Sequence, residues 1–330
     1  MRKSIIVSKE NDGDFTSVSD AVLSLNNDNT PIIVYVKSGI YKEKVSVTRP
    51  FVTLIGEGCE NTVICFDDSA LEVLKDGEKR GTFRTPTFFI DADDFTAKNI
   101  TFENYAGHGC DVGQALAVYA DGDRLFFDSC SFKGGQDTLF TAPLPPTAYE
   151  KNGFRGPKEF SPRKNGRHYY KNCYIEGDID FIFGGATAYF ERCEIFSKKT
   201  DKLLAAENPK DQKTYGYITA ASTPEGLDYG YVFENCRLTS DCPPQSVYLG
   251  RPWRSYAKTV FLNCEMGAHI KREGWHDWGK LEAHKTVYFA EYKSVGEGSN
   301  GERASFSKQL DENEALKYSK DKVLAGWDIK

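Results

Sequence analysis

Phe127-Asp128-Ser129-Cys130-Ser131-Phe132 is the stretch on which the fold turns, because the chain writes it five times. The other copies are Tyr170-Lys171-Asn172-Cys173-Tyr174-Ile175, Phe190-Glu191-Arg192-Cys193-Glu194-Ile195, Phe233-Glu234-Asn235-Cys236-Arg237-Leu238 and Phe261-Leu262-Asn263-Cys264-Glu265-Met266. An earlier segment, Ala97-Lys98-Asn99-Ile100-Thr101-Phe102, has the same shape with Ile100 in the cysteine slot. Alternating aromatic, β-branched and polar residues read as short strands. Self-similarity at a spacing of a few tens of residues reads as a solenoid.

The shortest interval, 20 residues from Cys173 to Cys193, is about one turn of a parallel β-helix. The interval of 43 from Cys130 to Cys173 is then one turn plus a surface excursion. That excursion is visible between Thr141 and Gly166, where Pro, Gly, Lys and Glu cluster and apolar periodicity vanishes. The expected fold is therefore all-β: a single-domain right-handed parallel β-helix over residues 1–330, each cysteine stacked as a small buried hydrophobe. Phe15 to Leu25 has polar starters and helical spacing and is expected to cap the first coil; Asp311 to Ala325 reads as a short helix capping the other end.

Composition sets the outer limits. The chain has 330 residues, 42 Lys+Arg against 48 Asp+Glu and a net charge of −6, with 40% hydrophobic and 27% charged residues. This balance excludes a disordered chain. No window approaches the ~18 apolar residues needed to span a bilayer, so no membrane association is expected. The acidity argues against a general nucleic-acid binder. The apolar run after Met1-Arg2-Lys3 ends within a few residues, short of a signal-peptide core, which points to the cytoplasm, or to a secreted protein whose signal is missing from this sequence. Nine cysteines, an odd number without CxxC spacing, suit reduced thiols rather than zinc. No metal and no cofactor is implied.

The chemistry shows as a coincidence of position. Asp137 and Asp180 each lie seven residues after a repeat cysteine, Cys130 and Cys173. Equivalent residues on neighbouring coils stand about 4.8 Å apart, so two carboxylates should share one face, where they cannot both ionise freely. One carboxylate beside one carboxylic acid suits ester or glycoside cleavage. Aspartates turning coil corners would be the structural alternative. The neighbours favour chemistry: Gln114 one coil upstream, Gln136 beside Asp137, and Leu249-Gly250-Arg251-Pro252-Trp253 downstream. No G-x-S-x-G, HExxH, P-loop or GxGxxG occurs, and the five histidines lie in unrelated contexts.

At these segments the sequence resembles the pectin methylesterases of carbohydrate esterase family 8, which are right-handed β-helix enzymes. The resemblance begins at Gly39-Ile40-Tyr41-Lys42-Glu43 and runs through Thr82-Phe83-Arg84-Thr85-Pro86-Thr87. It continues through Gln114-Ala115-Leu116-Ala117, Gln136-Asp137-Thr138-Leu139, Asp180-Phe181-Ile182-Phe183-Gly184 and Leu249 to Trp253, all in the family's order. Gly274-Trp275-His276-Asp277-Trp278 and Tyr288-Phe289-Ala290-Glu291-Tyr292 follow. The Pro-containing insertion after Leu139 looks like the bacterial branch of the family. The resemblance implies hydrolysis of galacturonate methyl esters in pectin or methylated oligogalacturonides; a monomer is expected. It implies Asp180 as nucleophile, Asp137 as acid/base, Gln136 and Gln114 as oxyanion donors, and Arg251 as the cation holding Asp180. Trp253, Thr82 and Phe181 are the implied substrate contacts, although the residues alone leave open whether Phe181 or Phe183 faces the groove. Competing readings are a β-helical lyase or glycosidase on the same polymer and a non-catalytic carbohydrate binder. The amide pair suits an acyl oxyanion better than an oxocarbenium ion.

Overall fold

A computed structural model describes residues 3–26, 28–200 and 214–329. The chain winds as a parallel β-helix with three sheets of 11, 8 and 7 strands, and every strand pair is parallel. Among the described residues no helix is long and apolar enough to cross a membrane.

Each copy of the repeat is a corner rather than one strand. In the second copy, Arg167–Lys171 ends a strand of the 11-stranded sheet and Tyr174–Gly177 starts one in the 8-stranded sheet. The residue before the cysteine makes the bend. Asn99, Ser129, Asn172, Arg192, Asn235 and Asn263 all have φ between 51° and 57°, a left-handed conformation that asparagine tolerates best among side-chain-bearing residues. Cys130, Cys173, Cys193, Cys236 and Cys264 then point inward, each at most 2% exposed. Their carbonyls keep the ladder running through the corner: Tyr174 N donates to Cys130 O, Glu194 N to Cys173 O and Arg237 N to Cys193 O, each at 2.9 Å. Burial pushes the thiols of Cys130, Cys193 and Cys264 up, so they stay protonated, and none of the nine cysteines forms a disulfide.

The first residue of the repeat builds the other half of the core. Phe127, Tyr170, Phe190, Phe233 and Phe261 stack face to face, with centroids 5.0, 4.6, 4.4 and 4.6 Å apart in turn. Stacked aromatics on paired strands add to burial and fix register.

The N-terminal helix, Val18–Leu23, covers the first coil. Glu43 anchors it, taking hydrogen bonds from Ser17 Oγ (2.6 Å), Val18 N (3.0 Å) and Ser19 N (2.8 Å), which completes the orphan donors of its first turn. The expected short C-terminal helices are present, but their extent and what they cover need correcting. Asp311 to Ala325 is not one helix: Glu312–Ala315 and Lys320–Val323 flank a 3₁₀ turn at Leu316–Tyr318, and Ser319 is extended. This region does not cap the far end either. Val323 and Leu324 pack along the side of the 11-stranded sheet with Phe126, Tyr169 and Tyr189, whose outward rings supply an apolar strip for them to cover.

Candidate active site

The 7-stranded sheet carries the site. Its order is Val247–Gly250, Gly216–Ala221, Ile179–Gly184, Leu139–Thr141, Val118–Asp121, Phe88–Asp91, Val45–Val47. Its outer face bears an aromatic patch of Phe83, Tyr119, Phe140, Phe154 and Phe183, flanked by Trp253 and Trp278. A cleft of about 320 Å³ opens beside this patch. Thr82, Gln114, Gln136, Asp137, Asp180, Arg251 and Trp253 all line it.

Register explains the convergence. Leu139 pairs with Ile182, so Asp137 stands level with Asp180 on the next coil, and Asp137 N donates to Ile179 O at 3.0 Å. Both aspartates have positive φ, 64° and 51°, a strained setting that recurs at functional sites. At Asp180 the strand bulges: the four residues from Ile179 to Ile182 span what the three from Tyr217 to Thr219 span on the neighbouring strand. A bulge re-aims side chains. It turns Asp180 and Phe183 toward the cleft and sends both Phe181 and Ile182 into the core, each 0% exposed. Phe181 is therefore not a cleft residue, and the groove position belongs to Phe183.

The two carboxylates have unlike surroundings. Arg251 grips Asp180 with both prongs, Nε to Oδ1 at 2.8 Å and Nη2 to Oδ2 at 2.6 Å. The guanidinium is itself clamped between the rings of Tyr217 and Trp278, 3.8 and 3.7 Å from their centroids, so its fork is fixed in direction. Asp137 is 7% exposed and has no side-chain hydrogen bond among the described residues. Its carboxyl is pushed well above the usual carboxylate range, first by burial and then by the charge of Asp180; Arg251 opposes this shift and Asp178 adds to it. Gln114 and Gln136 stand half-buried on adjacent coils, joined by a hydrogen bond from Ala115 N to Gln136 O at 3.0 Å. Neither amide side chain has a partner among the described residues, so both sets of N–H donors are available to the cleft. None of the five histidines lines it; His168, for example, is buried beside Gly122 O and its pKa falls to about 4.

The family is decided by the whole chain. A protein-family model described as Pectinesterase matches residues 4–144 and 161–327. The chain belongs to the pectinesterase family. Pectinesterase 31 of Arabidopsis thaliana is 35% identical over 318 residues, covering 94% of this chain and 88% of its own length. Among solved structures, a pectin methylesterase in complex with a hexasaccharide superposes with a TM-score of 0.80 at 29% identity, covering 99% of this chain and 98% of that one. Pectin methylesterase PemA of Erwinia chrysanthemi gives 0.79 at 29% identity over the same shares. This pectinesterase is accordingly a carboxylic ester hydrolase on a parallel β-helix.

Residues 145–160 fall outside the family match, and they bring cleft residues that the sequence reading missed. Tyr149 and Phe154 line the cleft; the Tyr149 hydroxyl donates to Trp253 O at 3.0 Å, and Arg254 lies 3.7 Å over the Tyr149 ring. Arg163 ties the excursion together through the carbonyls of Pro145, Lys158, Glu159 and Ser161. No periodicity marks these residues, because their partners lie about a hundred positions away. Trp278 was within reach: it sits in the Gly274–Trp278 segment, whose resemblance carried no role for it.

Proposed function

We propose that this pectinesterase removes methyl esters from galacturonan through an acyl-enzyme formed on Asp180. A carboxylate oxygen of Asp180 attacks the ester carbonyl carbon, and the developing oxyanion takes N–H donors from Gln114 and Gln136. Asp137, protonated at the start, gives its proton to the departing methoxy oxygen, so methanol leaves and an anhydride remains. Asp137, now a carboxylate, accepts a proton from water as that water attacks the anhydride carbonyl, which frees the galacturonate carboxylate and restores Asp180. Arg251 keeps Asp180 aimed. The half-buried Trp253 and Thr82 and the buried Phe183 line the cleft as an apolar and hydroxyl surface for the sugar rings. Every group comes from one chain, so a monomer suffices.

The observation that carries this reading is the asymmetry of the dyad. One carboxylate is locked in a two-pronged ion pair, while its neighbour has no such clamp and has its protonated form favoured by burial. That division is what a nucleophile and an acid require. Asp180→Asn should abolish methanol release, and Asp137→Asn should lower it at least about a thousandfold, with folding checked by circular dichroism. Near-normal release by either folded variant would overturn the assignment.

A further inference from the structure

Two residues before Asp180, and level with Gly135 on the adjacent coil, lies a third carboxylate. Asp178 is 0% exposed, and its backbone N donates to Gly135 O at 3.1 Å. The Asp178 side chain accepts from Ile179 N (2.7 Å, Oδ1) and Gly109 N (3.1 Å, Oδ2), and Nδ1 of His108 lies 3.3 Å from Oδ2. Burial pushes its carboxyl up, and these hydrogen bonds pull the other way.

We propose that Asp178 is a positioning residue of the esterase: it pins the turn-like entry, Gly107 to Gly109, of the short helix Gly109–Val112 against the Gln136 side chain and sets a negative charge near Asp137. The inference rests on the reading of Asp137 as acid and Gln136 as oxyanion donor. The packing is close enough to transmit position. A methyl group on Gly109 would stand 2.4 Å from Gln136 Cβ, 2.8 Å from Gln136 Oε1 and 3.1 Å from Asp178 Oδ1. One on Gly135 would stand 2.5 Å from Gly107 O and 3.3 Å from Asp178 Oδ2. The turn, the Gln136 side chain and the Asp178 carboxylate thus occupy one interlocked layer under the dyad, possible only because residues 109 and 135 lack side chains. Without an acceptor at 178 the Gly109 N–H is orphaned, and the floor under Gln136 loosens.

Charge adds a second effect. The groups acting on Asp137 are Asp180 and Asp178, which favour its protonated form, and Arg251, which disfavours it. Those acting on Asp178 are His108, Asp137 and, from two coils further on, Cys242. Removing the charge at 178 therefore makes Asp137 easier to deprotonate.

The test uses the full-length enzyme on methylated pectin, with methanol release followed across pH. Asp178→Asn is isosteric and keeps an acceptor toward Ile179 N. It should lower kcat about tenfold with KM nearly unchanged, and move the alkaline limb of the pH–rate profile down by about half a unit or more. Asp178→Ala should lower kcat further. Folded Asp178→Asn enzyme with kcat and limb unchanged would overturn the proposal. So would a lowered kcat with an unmoved limb, since a merely structural residue would behave that way. Either result leaves the dyad assignment standing, because that assignment is tested separately at Asp137 and Asp180.

Discussion

The cysteine corner and the carboxylate face are built from the same device and put to opposite uses. Both stack equivalent residues from neighbouring coils, and both turn the chain on residues of positive φ. At the cysteine corner the left-handed residue faces outward and the next residue is buried, so each coil adds a dry thiol to a continuous ladder. On the carboxylate face the left-handed residues, Asp137 and Asp180, are themselves the groups we propose to react. Repetition is stable where the repeated group is small and apolar. Where it is a carboxylate, the coils must differ: both aspartates are buried, and the Arg251 clamp on Asp180 alone supplies the difference. On the proposed mechanism, a solenoid becomes an enzyme at the place where its neighbouring rungs stop being equivalent.

The sharpest way to break that inequivalence is at Arg251. Arg251→Ala removes the fork that aims Asp180 and leaves a carboxylate without its cation; kcat should fall by about a hundredfold to a thousandfold. Arg251→Lys keeps charge but not geometry and should fall between. The residual activity carries a second signature. The Arg251 charge opposes protonation of Asp137, so its loss should move the alkaline limb to higher pH, the reverse of the shift expected for Asp178→Asn. Profiles of wild type and both Arg251 variants that superimpose after scaling would show that Arg251 does not influence the dyad's ionisation.

A smaller effect concerns stability. The native carboxyl of Asp137 holds its proton more tightly than the unfolded chain, whose value lies near 3.8. Between that value and the raised native one, each step up in pH costs stability; above it the cost is constant. Asp137→Asn has no such cost. The inactive variant should melt a few degrees above wild type at neutral pH, and the two should converge as the pH falls toward 4. A wild type that melts at or above the variant at neutral pH would contradict the burial argument.

Much of this was legible before any coordinates. The cysteine repeat fixed a coil register, and because Asp137 and Asp180 share an offset from it, their adjacency followed by counting. The amide donors and Arg251 were assigned through resemblance to a family, since nothing in local periodicity distinguishes Gln114 from any other half-buried amide. Phe181 was placed in the groove by resemblance, whereas the bulge buries it together with Ile182 and leaves the groove position to Phe183. Tyr149 and Phe154 were missed because the excursion's contacts are tertiary, and an irregular segment carries no period to read. The C-terminal helices were read as a cap because helical spacing shows an apolar face but not which surface it will cover.

The smallest effect tests the ladder itself. After Cys264 the next corner runs Tyr292-Lys293-Ser294-Val295, with Lys293 at φ 49° and Val295 N donating to Cys264 O at 2.9 Å. Ser294 thus occupies the cysteine slot of the following coil, and its hydroxyl is buried with no hydrogen-bond partner among the described residues. In the slots above, the thiols lie 3.3–3.6 Å from backbone carbonyls: Cys236 Sγ is 3.3 Å from Phe190 O, and Cys264 Sγ is 3.5 Å from Phe233 O. A sulfur reaches further than a hydroxyl and loses less by being dried, so the slot favours cysteine. Ser294→Cys should raise stability by about 1 kcal/mol, read as a higher urea midpoint with an unchanged m-value and unchanged methanol release. Ser294→Ala, which removes the orphan hydroxyl but fills less space, should gain less. A drop in midpoint for Ser294→Cys would mean that the ladder ends at Cys264 for a packing reason, and that the last corner is a different structure wearing the same backbone.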